Sequence, residues 1–573
     1  MAAELPIPIF TSLDKALPDL ETAAAQGARY DSVVKEYEKR FGHKPTYIAR
    51  APGRVNLIGE HIDYVLFGCF PAAIERDILI ACGPSQSGSG TSTPSSHPPG
   101  GVKAENLNPK YKPQSFAPML KSAQGPSAAE EADAASTVHA ETLWHLDIDK
   151  RELRWESYVK AGYYGVLNRF FPSTSEHPKP ADLLVTGSVP SGSGLSSRHF
   201  CSAAMVVAST LAFLAVNDKL DGLTKGQLVE MAMENEQRVG VNSGGLDQAA
   251  SVICTPHSAI FVDFFPRLSA EPIPLPTPRT IPRAVFVCAN SLVVSDKVVS
   301  AKIHYNLRVV ETLVAARVLA LRLDLSLGPS DRPRLREIFS RWLGSPDLES
   351  TPEKVKASLE RFLPEIEKLK PSPEGRKEGE LGVTMKEMIE WSGLSEAQFH
   401  QVYLSWVDVE AEYFQLYKRA RHVITEAIRV LEFREVCLRA QATDGELPED
   451  TLRALGALMD ASHESCATLC ESSCPEVDQL AQLARESGAY GCRITGAGWG
   501  GCTVSLVAED KVEEFIAKIK AGYAPYKDLE GDALREVIFA TKPSSGAFGK
   551  SHMPLSSCFK LPDALFAVLK LDE

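Results

Sequence analysis

The segment from Ala181 to Val216 most constrains the fold, because it predicts a strand, a Gly/Ser-rich loop and a buried helix in direct succession. ADLLVTGSV is apolar enough for a strand, VPSGSGLSS carries glycines and hydroxyls, and CSAAMVVASTLAFLAV is apolar on nearly every side. A helix that is apolar all round must be enclosed by other elements. The segment therefore predicts a buried helix whose N-terminus follows a loop able to bind an anion.

The Gly/Ser loop of this segment does not match the two best-known phosphate-binding motifs. Gly187 and Gly192 have the glycine spacing of the Walker A pattern GxxxxGK[ST], but Ser193 occupies the position of its lysine. In the dinucleotide pattern GxGxxG, the third glycine is replaced by Ser197. Glycines before a helix start still allow backbone N–H groups to approach an anion. Taken alone, the loop is equally compatible with a phosphate site and with a flexible connection.

Length and charge narrow the classes of protein to which the chain can belong. Its 573 residues exceed what one compact core usually holds, so two domains with insertions are expected. The net charge of −13 and the lack of a Lys/Arg block argue against direct nucleic-acid binding. No apolar run has the length of a membrane helix, and the N-terminus does not resemble a secretion signal. We expect a cytoplasmic protein without a membrane partner, and its twelve cysteines to be reduced.

A long low-complexity stretch interrupts the first half of the chain. From Pro84 to Ser136 the composition shifts to Gly, Ser, Pro and Ala. Such a composition buries too little apolar surface to offset the entropy of ordering, so residues 84–136 are expected to form a disordered surface insertion. Strands are predicted on both sides, at AAIERDILIAC and ETLWHLDI. We therefore expect an enlarged hairpin connection whose two flanking strands belong to one sheet.

The second half of the chain is predicted to be helical and then mixed. Helical patterns run from about Leu335 to Arg439 with a break near Pro371, and GCRITGAGWGGCTVSLV predicts a strand, a turn and a strand. One helical face between them carries His463, Cys466, Cys470 and Cys474. Structural zinc sites usually combine a short Cys knuckle with a second ligand pair, so a packed helix face is favoured here over a metal site.

Two further stretches carry polar groups suited to a small-molecule site. Residues 51–64, APGRVNLIGEHIDY, contain Arg54, Asn56, Glu60, His61, Asp63 and Tyr64. Such a density of hydrogen-bonding groups suits a sugar, whose hydroxyls each need a donor or acceptor, while a solvated loop is the alternative. Residues 240–248, GVNSGGLDQ, present Asp247 at a glycine-rich turn, where a lone carboxylate is commonly a cap or turn residue.

These stretches, together with TGAGWGGC at residues 495–502, occur in an order that resembles the galactokinases of the GHMP small-molecule kinase superfamily. GRVNLIGEHIDY is close to the galactokinase signature, VPSGSGLSS to the ATP loop, and GGLDQ and TGAGWGGC to two downstream motifs. The resemblance implies an α+β fold of two lobes with the active site in the cleft between them. It places the polar stretch at residues 51–64, the ATP loop and Asp247 in an N-terminal lobe, residues 1–280, and the TGAGWGGC turn in a C-terminal lobe, residues 281–573.

The resemblance also implies roles for individual residues. Asp247 would take or orient the proton of the sugar's anomeric hydroxyl, and Arg54 would hold that hydroxyl and the γ-phosphoryl group. Further galactose contacts are implied at Glu60, His61, Asp63, Gly244 and Tyr305. ATP contacts are implied at Gly192, Ser193, Gly194, Ser196, Ser197, Ser295, Asp296 and Lys297. The implied ligands of Mg²⁺ are Ser197 and Glu236.

The ATP loop departs from the family pattern at one point. Galactokinases commonly continue it as GLSSSAAF, whereas this chain has GLSSRHF, with Arg198 and His199 in place of small residues. Small residues let phosphates reach the helix N-terminus, although an arginine can itself pair with phosphate. The first function that follows is a galactokinase, which transfers the γ-phosphoryl of ATP to the 1-hydroxyl of α-D-galactose. The alternative is a catalytically weak sensor that binds galactose and ATP and acts on a transcriptional repressor partner.

Overall fold

The computed structural model of the chain describes residues 2–16, 20–86, 98–120, 143–149, 154–173, 175–189, 202–240, 244–293, 301–344, 351–374, 376–377 and 379–551. Within these ranges a seven-stranded sheet and a four-stranded sheet are covered by helices, which confirms the predicted α+β class. None of the helices described is both long enough and apolar enough to span a membrane.

The strands of the described residues form two principal sheets and three two-stranded ones. They are β1 (Ile9–Phe10), β2 (Tyr47–Asn56), β3 (Pro71–Pro84), β4 (Val102–Asn106), β5 (Gln114–Phe116), β6 (Met119–Leu120), β7 (Trp144–His145), β8 (Ala181–Gly187), β9 (Ser258–Asp263), β10 (Ser269–Pro274), β11 (Thr280–Ile281), β12 (Ala284–Asn290), β13 (Leu447–Pro448), β14 (Gly491–Thr495), β15 (Cys502–Ala508), β16 (Ile538–Thr541) and β17 (Phe548–Ser551). The first sheet has the order β1-β17-β2-β3-β8-β4-β5, and the second has the order β14-β15-β12-β16.

The helices of the described residues lie between these strands along the chain, and several of them pack against the sheets. They are α1 (Leu13–Ala16), α2 (Leu20–Phe41), α3 (Trp155–Phe170), α4 (Ser202–Val216), α5 (Lys225–Glu236), α6 (Leu246–Ile253), α7 (Tyr305–Arg322), α8 (Leu335–Trp342), α9 (Pro352–Phe362), α10 (Met385–Ser392), α11 (Glu396–Phe399), α12 (Leu416–Gln441), α13 (Asp450–Ser465), α14 (Pro475–Glu486), α15 (Val512–Gly522) and α16 (Gly531–Val537). The helical stretch predicted from Leu335 to Arg439 is thus divided at more points than the break near Pro371.

Helix α4 is enclosed on every side, as its sequence predicts. All described side chains from Ala203 to Val216 are buried. The helix packs against β2 and β3 of the first sheet and against α3, α5 and α6. An apolar surface all round is what such a position requires, because every face meets another element. Strand β8 precedes this helix in the chain. The strand and the helix of the predicted strand–loop–helix segment are therefore both confirmed.

The low-complexity stretch contains ordered structure, so the prediction of disorder across residues 84–136 is wrong for part of it. Strand β4 runs parallel to β8 and antiparallel to β5 in the first sheet. Its Val102 and Ala104 are buried, while Lys103 between them is exposed. This alternation, with the period of a strand, outweighs the surrounding Gly/Ser composition. Residues 87–97 and 121–136 of the predicted insertion lie outside the described residues.

The expected hairpin between the two strands flanking this stretch is also wrong. Strand β3 pairs with β2 and β8, whereas β7 pairs with β6 in a separate two-stranded sheet. Trp144 of β7 is buried, and its indole N–H donates to the carbonyl of Phe171 at 2.8 Å. The indole N–H thus has its partner at the residue that follows α3.

The end of the chain returns to the first sheet, which corrects the predicted boundary of the C-terminal lobe. Strand β17 lies between β1, to which it is parallel, and β2, to which it is antiparallel. Residues 548–551 therefore belong to the sheet of the first lobe and not to a lobe formed by residues 281–573. The pairing covers an edge of β2 that would otherwise expose unpaired N–H and C=O groups.

The His/Cys face near α13 is packed against neighbouring elements. His463 Nδ1 accepts from the N–H of Ile494 at 3.2 Å, and Nε2 lies 3.3 Å from the Asp478 carboxylate. Cys466 is fully buried in a cluster with Val477 and Ile494. Both ring nitrogens of His463 therefore have protein partners, which is consistent with the predicted packed helix face. In the part of the chain that the structure describes, no group of His, Cys, Asp and Glu side chains has an arrangement that could hold a metal ion.

Candidate active site

Arg54 and Asp247 form a bidentate ion pair at the contact between β2 and α6. Arg54 follows a register shift in β2, and Asp247 lies in the first turn of α6. Arg54 Nε and Nη2 donate to Asp247 Oδ1 and Oδ2 at 2.6 and 2.7 Å. The Arg54 side chain is 8% exposed and the Asp247 side chain 27%, so the carboxylate retains surface that a ligand can reach. This geometry fixes the planes and the orientation of both groups.

Asp63 and Gly244 bring the sugar loop, residues 57–64, against the loop that begins α6. The N–H of Gly244 donates to Asp63 Oδ2 at 3.0 Å. A Cβ on Gly244 would lie 2.5 Å from the carbonyl carbon of Asp63, so only glycine fits here. Burial and the nearby Asp247 raise the pKa of Asp63 to about 7. Asp63 is therefore a carboxyl whose charge changes near neutral pH.

His61 lies inside the sugar loop as a neutral imidazole with a fixed tautomer. Burial lowers its pKa to about 3. Nε2 donates to the carbonyl of Ala497 at 3.1 Å, so Nδ1, which lies 3.3 Å from the Tyr64 hydroxyl, acts as the acceptor. The His61 backbone has a φ of 59°, a left-handed conformation that is uncommon for a residue other than glycine. Such outliers are concentrated at functional sites.

Aromatic rings surround His61. Tyr305, at the N-terminus of α7, has its ring centroid 5.4 Å from that of His61 and 5.6 Å from that of Tyr64. Burial raises the pKa of the Tyr305 phenol, which keeps its hydroxyl protonated. Trp499 meets the His61 ring edge-on at 5.5 Å and stacks on His304 at 4.6 Å. Three aromatic side chains from three parts of the chain, Tyr64, Tyr305 and Trp499, therefore surround the imidazole and fix its position.

Glu60 is buried between the sugar loop and the turn that follows β14. Its Oε1 accepts from the N–H of Gly496 at 2.8 Å and lies 3.5 Å from Arg493 Nη1. Its backbone carbonyl accepts from His422 Nε2 at 2.9 Å. Burial raises the pKa of Glu60, while Arg493 and Arg54 act in the opposite direction.

Glu236, at the end of α5, is the one predicted metal ligand that the described residues include. Its side chain is buried, and its Oε2 accepts from the side-chain amide of Gln248. Gln248 follows Asp247 in α6, so the amide links this carboxylate to the neighbourhood of the Arg54–Asp247 pair.

The predicted ATP contacts are not part of the described structure. Gly192, Ser193, Gly194, Ser196, Ser197, Ser295, Asp296 and Lys297 lie outside the described residues, and so do Arg198 and His199. The structure brings together Arg54, Glu60, His61, Asp63, Gly244, Asp247 and Tyr305 around one loop. The residues predicted to bind the sugar therefore lie together, and their role, like the nucleotide contacts, remains a prediction.

Several side chains that support the sugar loop were not predicted from the sequence. The most deeply placed are Arg493 of β14 and Glu426 of α12, both fully buried. A signal for Arg493 was present, because GCRIT places an arginine among apolar residues in a short strand, where a buried charge needs a partner. Glu426 and His422 had no such signal, since α12 carries charged residues along much of its length.

Comparisons with known proteins agree with this arrangement. Family descriptions match three segments: "Galactokinase galactose-binding signature" at residues 35–84, "GHMP kinases N terminal domain" at 157–254 and "GHMP kinases C terminal" at 445–525. The galactokinase of Dictyostelium discoideum is 33% identical over 94% of this chain and 97% of its own length. The chain belongs to the galactokinase family. The galactokinase of Saccharomyces cerevisiae is likewise 33% identical, over 95% of this chain and 98% of its own length.

A solved structure supports the fold of this galactokinase-family chain. The structure of Lactococcus lactis galactokinase complexed with galactose aligns with a TM-score of 0.56 at 22% identity, covering 90% of this chain and 99% of that chain. The likeness shows that the two proteins share a fold. The predicted GHMP kinase fold is therefore confirmed.

Proposed function

We propose that the protein is an ATP-dependent galactokinase that transfers the γ-phosphoryl of ATP to the 1-hydroxyl of α-D-galactose, giving galactose 1-phosphate and ADP. The observation that carries this proposal is the two-pronged Arg54–Asp247 pair beside the sugar loop. The pair places a carboxylate that can accept a hydroxyl proton, Asp247, next to a cation that can stabilise a phosphoryl group, Arg54. Relatives named galactokinase, at about a third identity over nearly the whole chain, support the same reaction.

The paired residues divide the chemistry between them. Asp247 accepts a hydrogen bond from the anomeric hydroxyl and takes its proton as the new O–P bond forms and the bond to the leaving ADP oxygen breaks. Arg54 orients the carboxylate and offsets negative charge on the γ-phosphoryl group. Phosphoryl transfer has a loose transition state, so positioning and electrostatic stabilisation supply most of the catalysis.

The sugar loop supplies selectivity for the substrate. Glu60 and Asp63 offer carboxylate oxygens, and His61 offers a neutral ring held by Ala497 and Tyr64. Each is buried, so a sugar that lacks or inverts a matching hydroxyl leaves a buried polar group without a partner. This requirement favours one stereoisomer among the hexoses.

The nucleotide and metal assignments extend the proposal. Glu236 fits Mg²⁺ because it is a buried carboxylate, the type of oxygen ligand that this ion prefers, and Gln248 fixes one of its two oxygens. With Ser197, it would hold an ion that neutralises charge on the ATP phosphates. ATP would be contacted by Gly192, Ser193, Gly194, Ser196, Ser197, Ser295, Asp296 and Lys297. An active site in the cleft between the lobes and a cytoplasmic location belong to the same proposal.

The proposal is tested by galactose-dependent ADP release from the purified full-length chain. We expect turnover by the wild type and a loss of about 1,000-fold in kcat for Asp247→Asn, which keeps the shape but removes the proton acceptor. Asp528→Asn, at an exposed position, makes the same chemical change away from the site and should leave kcat unchanged. Thermal unfolding of all three proteins confirms that they are folded.

A different result would select the sensor instead. Saturable binding of galactose and ATP without ADP release by the wild type would contradict the kinase proposal. Replacing Ser-Arg-His by Ser-Ser-Ala-Ala between Ser196 and Phe200 then asks whether the loop is the cause. Restored turnover would assign the defect to Arg198 and His199, and unchanged turnover would assign it elsewhere.

A further inference from the structure

Arg493 reaches from the second sheet into the base of the sugar loop. It lies at the centre of β14 and is completely buried. Its Nη1 donates to the carbonyl of Asn56 at 2.7 Å and lies 3.5 Å from Glu60 Oε1. Its Nε donates to the Ser462 hydroxyl at 3.1 Å. Because the guanidinium has no exposed surface, it cannot contact a sugar directly.

The Glu60 carboxylate is oriented through one of its two oxygens. Arg493 Nη1 and the N–H of Gly496 both approach Oε1, at 3.5 and 2.8 Å. Among the described residues, none donates a hydrogen bond to Oε2. The two donors therefore hold Oε1 in place, and Oε2 is the oxygen that a ligand hydroxyl can use.

The surroundings make the charge of Glu60 depend on Arg493. Burial raises the pKa of Glu60, and Arg493 is the strongest of the groups that oppose this rise. Arg54 acts in the same sense, but it is bound to both oxygens of Asp247. Removing the guanidinium would leave a buried carboxylate that favours its neutral form, which donates a hydrogen bond where the ion accepts one.

A second carboxylate holds Arg493 in place. Glu426 of α12 lies 3.9 Å from Arg493 Nη2, and its Oε1 accepts from Ser462 at 2.5 Å and from the N–H of Gly59 at 2.9 Å. The pKa of Glu426 is lowered to about 2, because Arg429 and Arg493 outweigh the effect of burial. The guanidinium thus lies between Glu60 and a second carboxylate whose lowered pKa favours its ionised form.

We propose that Arg493 is the positioning residue for sugar selectivity: it holds Glu60 as a charged, oriented acceptor for one galactose hydroxyl without touching the sugar. This inference rests on the proposed function. It separates two tasks within the site, since Arg54 and Asp247 act on the reacting hydroxyl while Arg493 and Glu60 select a hydroxyl that does not react. Loss of Arg493 should therefore weaken recognition of one hydroxyl more than it weakens phosphoryl transfer.

The test measures binding and turnover of galactose and of its four mono-deoxy analogues, lacking the hydroxyl at carbon 2, 3, 4 or 6. Glu60→Gln identifies the hydroxyl that Glu60 recognises, because the penalty for the matching deoxy sugar shrinks in that variant. We expect Arg493→Met to raise the galactose Kd and KM about 100-fold, to change kcat less than tenfold, and to shrink the penalty for the same deoxy sugar. The double variant should be no worse than the worse single variant.

Matched variants separate positioning from a general loss of stability. Arg317→Met removes another buried guanidinium, which donates to the carbonyls of Ser392 and Gly328 away from the sugar loop, and should leave the galactose Kd unchanged. Arg493→Lys keeps the positive charge but not the planar guanidinium and its arrangement of N–H donors. It should therefore bind galactose more tightly than Arg493→Met and less tightly than the wild type. It also serves as the test variant if Arg493→Met does not fold.

The outcomes distinguish this inference from the proposed function. If galactose neither binds to the wild type nor supports ADP release, the proposed function fails and the inference fails with it. If the wild type binds and phosphorylates galactose but Arg493→Met and Arg493→Lys weaken every deoxy sugar equally, the inference alone is overturned. Shrinkage of the penalty for the same single hydroxyl in Glu60→Gln and the Arg493 variants supports it.

Discussion

Asp63 is the residue of the sugar loop whose protonation should control galactose affinity at neutral pH. Its pKa is raised to about 7, whereas His61 beside it has a pKa of about 3 and stays neutral. A sugar hydroxyl that donates to the carboxylate favours the ionised form, so affinity should fall as the pH falls through 7. We expect the galactose Kd to be about tenfold lower at pH 8 than at pH 6, measured by calorimetry.

Asp63→Asn provides the control for this pH dependence. The amide does not titrate, so the variant should bind galactose more weakly at pH 8 and with little change between pH 6 and 8. A dependence that persists in the variant would assign the titration to another group, with Glu60 next to be tested. His61→Gln should retain the dependence, because the imidazole is already neutral throughout this range.

The residues of the site divide into those that local sequence identifies and those that only the fold brings together. Arg54, Glu60, His61 and Asp63 lie within one short motif whose polar density and resemblance to galactokinases identify it. Arg493 lies 433 residues from Glu60 along the chain, and its importance depends on a contact between β14 and the sugar loop. No local pattern encodes a partner at that separation, although a charged residue in a buried strand shows that one must exist.

At the scale of elements, two glycines inside helices should respond in opposite ways to the same substitution. A Cβ on Gly456 of α13 would lie 2.0 Å from the carbonyl oxygen of Tyr490, because the helix packs backbone to backbone against the start of β14. A Cβ on Gly27 of α2 would have no heavy atom within 4 Å. Intrinsic helix propensity favours alanine over glycine by about 1 kcal/mol at either position, so the surroundings decide the outcome.

We expect Gly27→Ala to increase the free energy of unfolding by roughly 0.5–1 kcal/mol and Gly456→Ala to decrease it by about 3 kcal/mol or more. Chemical denaturation of both variants measures the two changes. Because β14 carries Arg493, Gly456→Ala should also raise the galactose KM, whereas Gly27→Ala should not. A stabilising effect of Gly456→Ala would contradict the close packing of α13 on β14.

Strand β4 allows a second comparison within one element. Ala104 is fully buried and its neighbour Lys103 is exposed, so the two faces of the strand differ sharply. Ala104→Asp should reduce the free energy of unfolding by about 3 kcal/mol, because it buries an unpaired charge, while Lys103→Asp should change it by less than about 0.5 kcal/mol. Equal effects in urea denaturation would mean that β4 does not occupy the first sheet in solution.

The same strand shows why composition predicted this part of the fold poorly. The Gly, Ser and Pro content from Pro84 to Ser136 is an average over the stretch, and VKAEN occupies only five positions within it. Helix α4, by contrast, is predicted from the sixteen-residue stretch CSAAMVVASTLAFLAV, which is apolar on nearly every side. A long apolar segment can therefore be predicted from its own sequence. A short strand in a region of biased composition forms because it pairs with the edge of an existing sheet, and that partner is not visible in the local sequence.

At the scale of the whole molecule, the two lobes should not fold as separate pieces cut at the predicted boundary. Strand β17 lies in the first sheet, and Arg50 of β2 donates to Ser544 and Ser545 near the same end of the chain. A chain ending after residue 547 would lose β17 and leave Phe10 without its edge-on contact with Phe548. We expect this truncation to lower the midpoint of thermal unfolding by more than about 5 °C.

Single substitutions within β17 separate the effect of its packing from the effect of shortening the chain. Phe548 is buried, so Phe548→Ala should destabilise the chain by about 3 kcal/mol through the loss of its packing, while Lys550→Ala at a half-exposed position of β17 should have a small effect. Differential scanning calorimetry of these variants and of the truncated chain gives the comparison. An unaltered unfolding midpoint in the truncated chain would show that β17 adds little to the first sheet.

The position of β17 also governs the order in which the protein can be completed during synthesis. Strands β1 and β2 leave the ribosome early, but the strand that lies between them is made only when residues 548–551 have been translated. Until then the outer edge of β2, the strand that carries Arg54, has no permanent neighbour. At the usual pace of translation this interval lasts from about half a minute to two minutes. The nascent chain therefore has an open sheet edge throughout that interval, with N–H and C=O groups that await their partners.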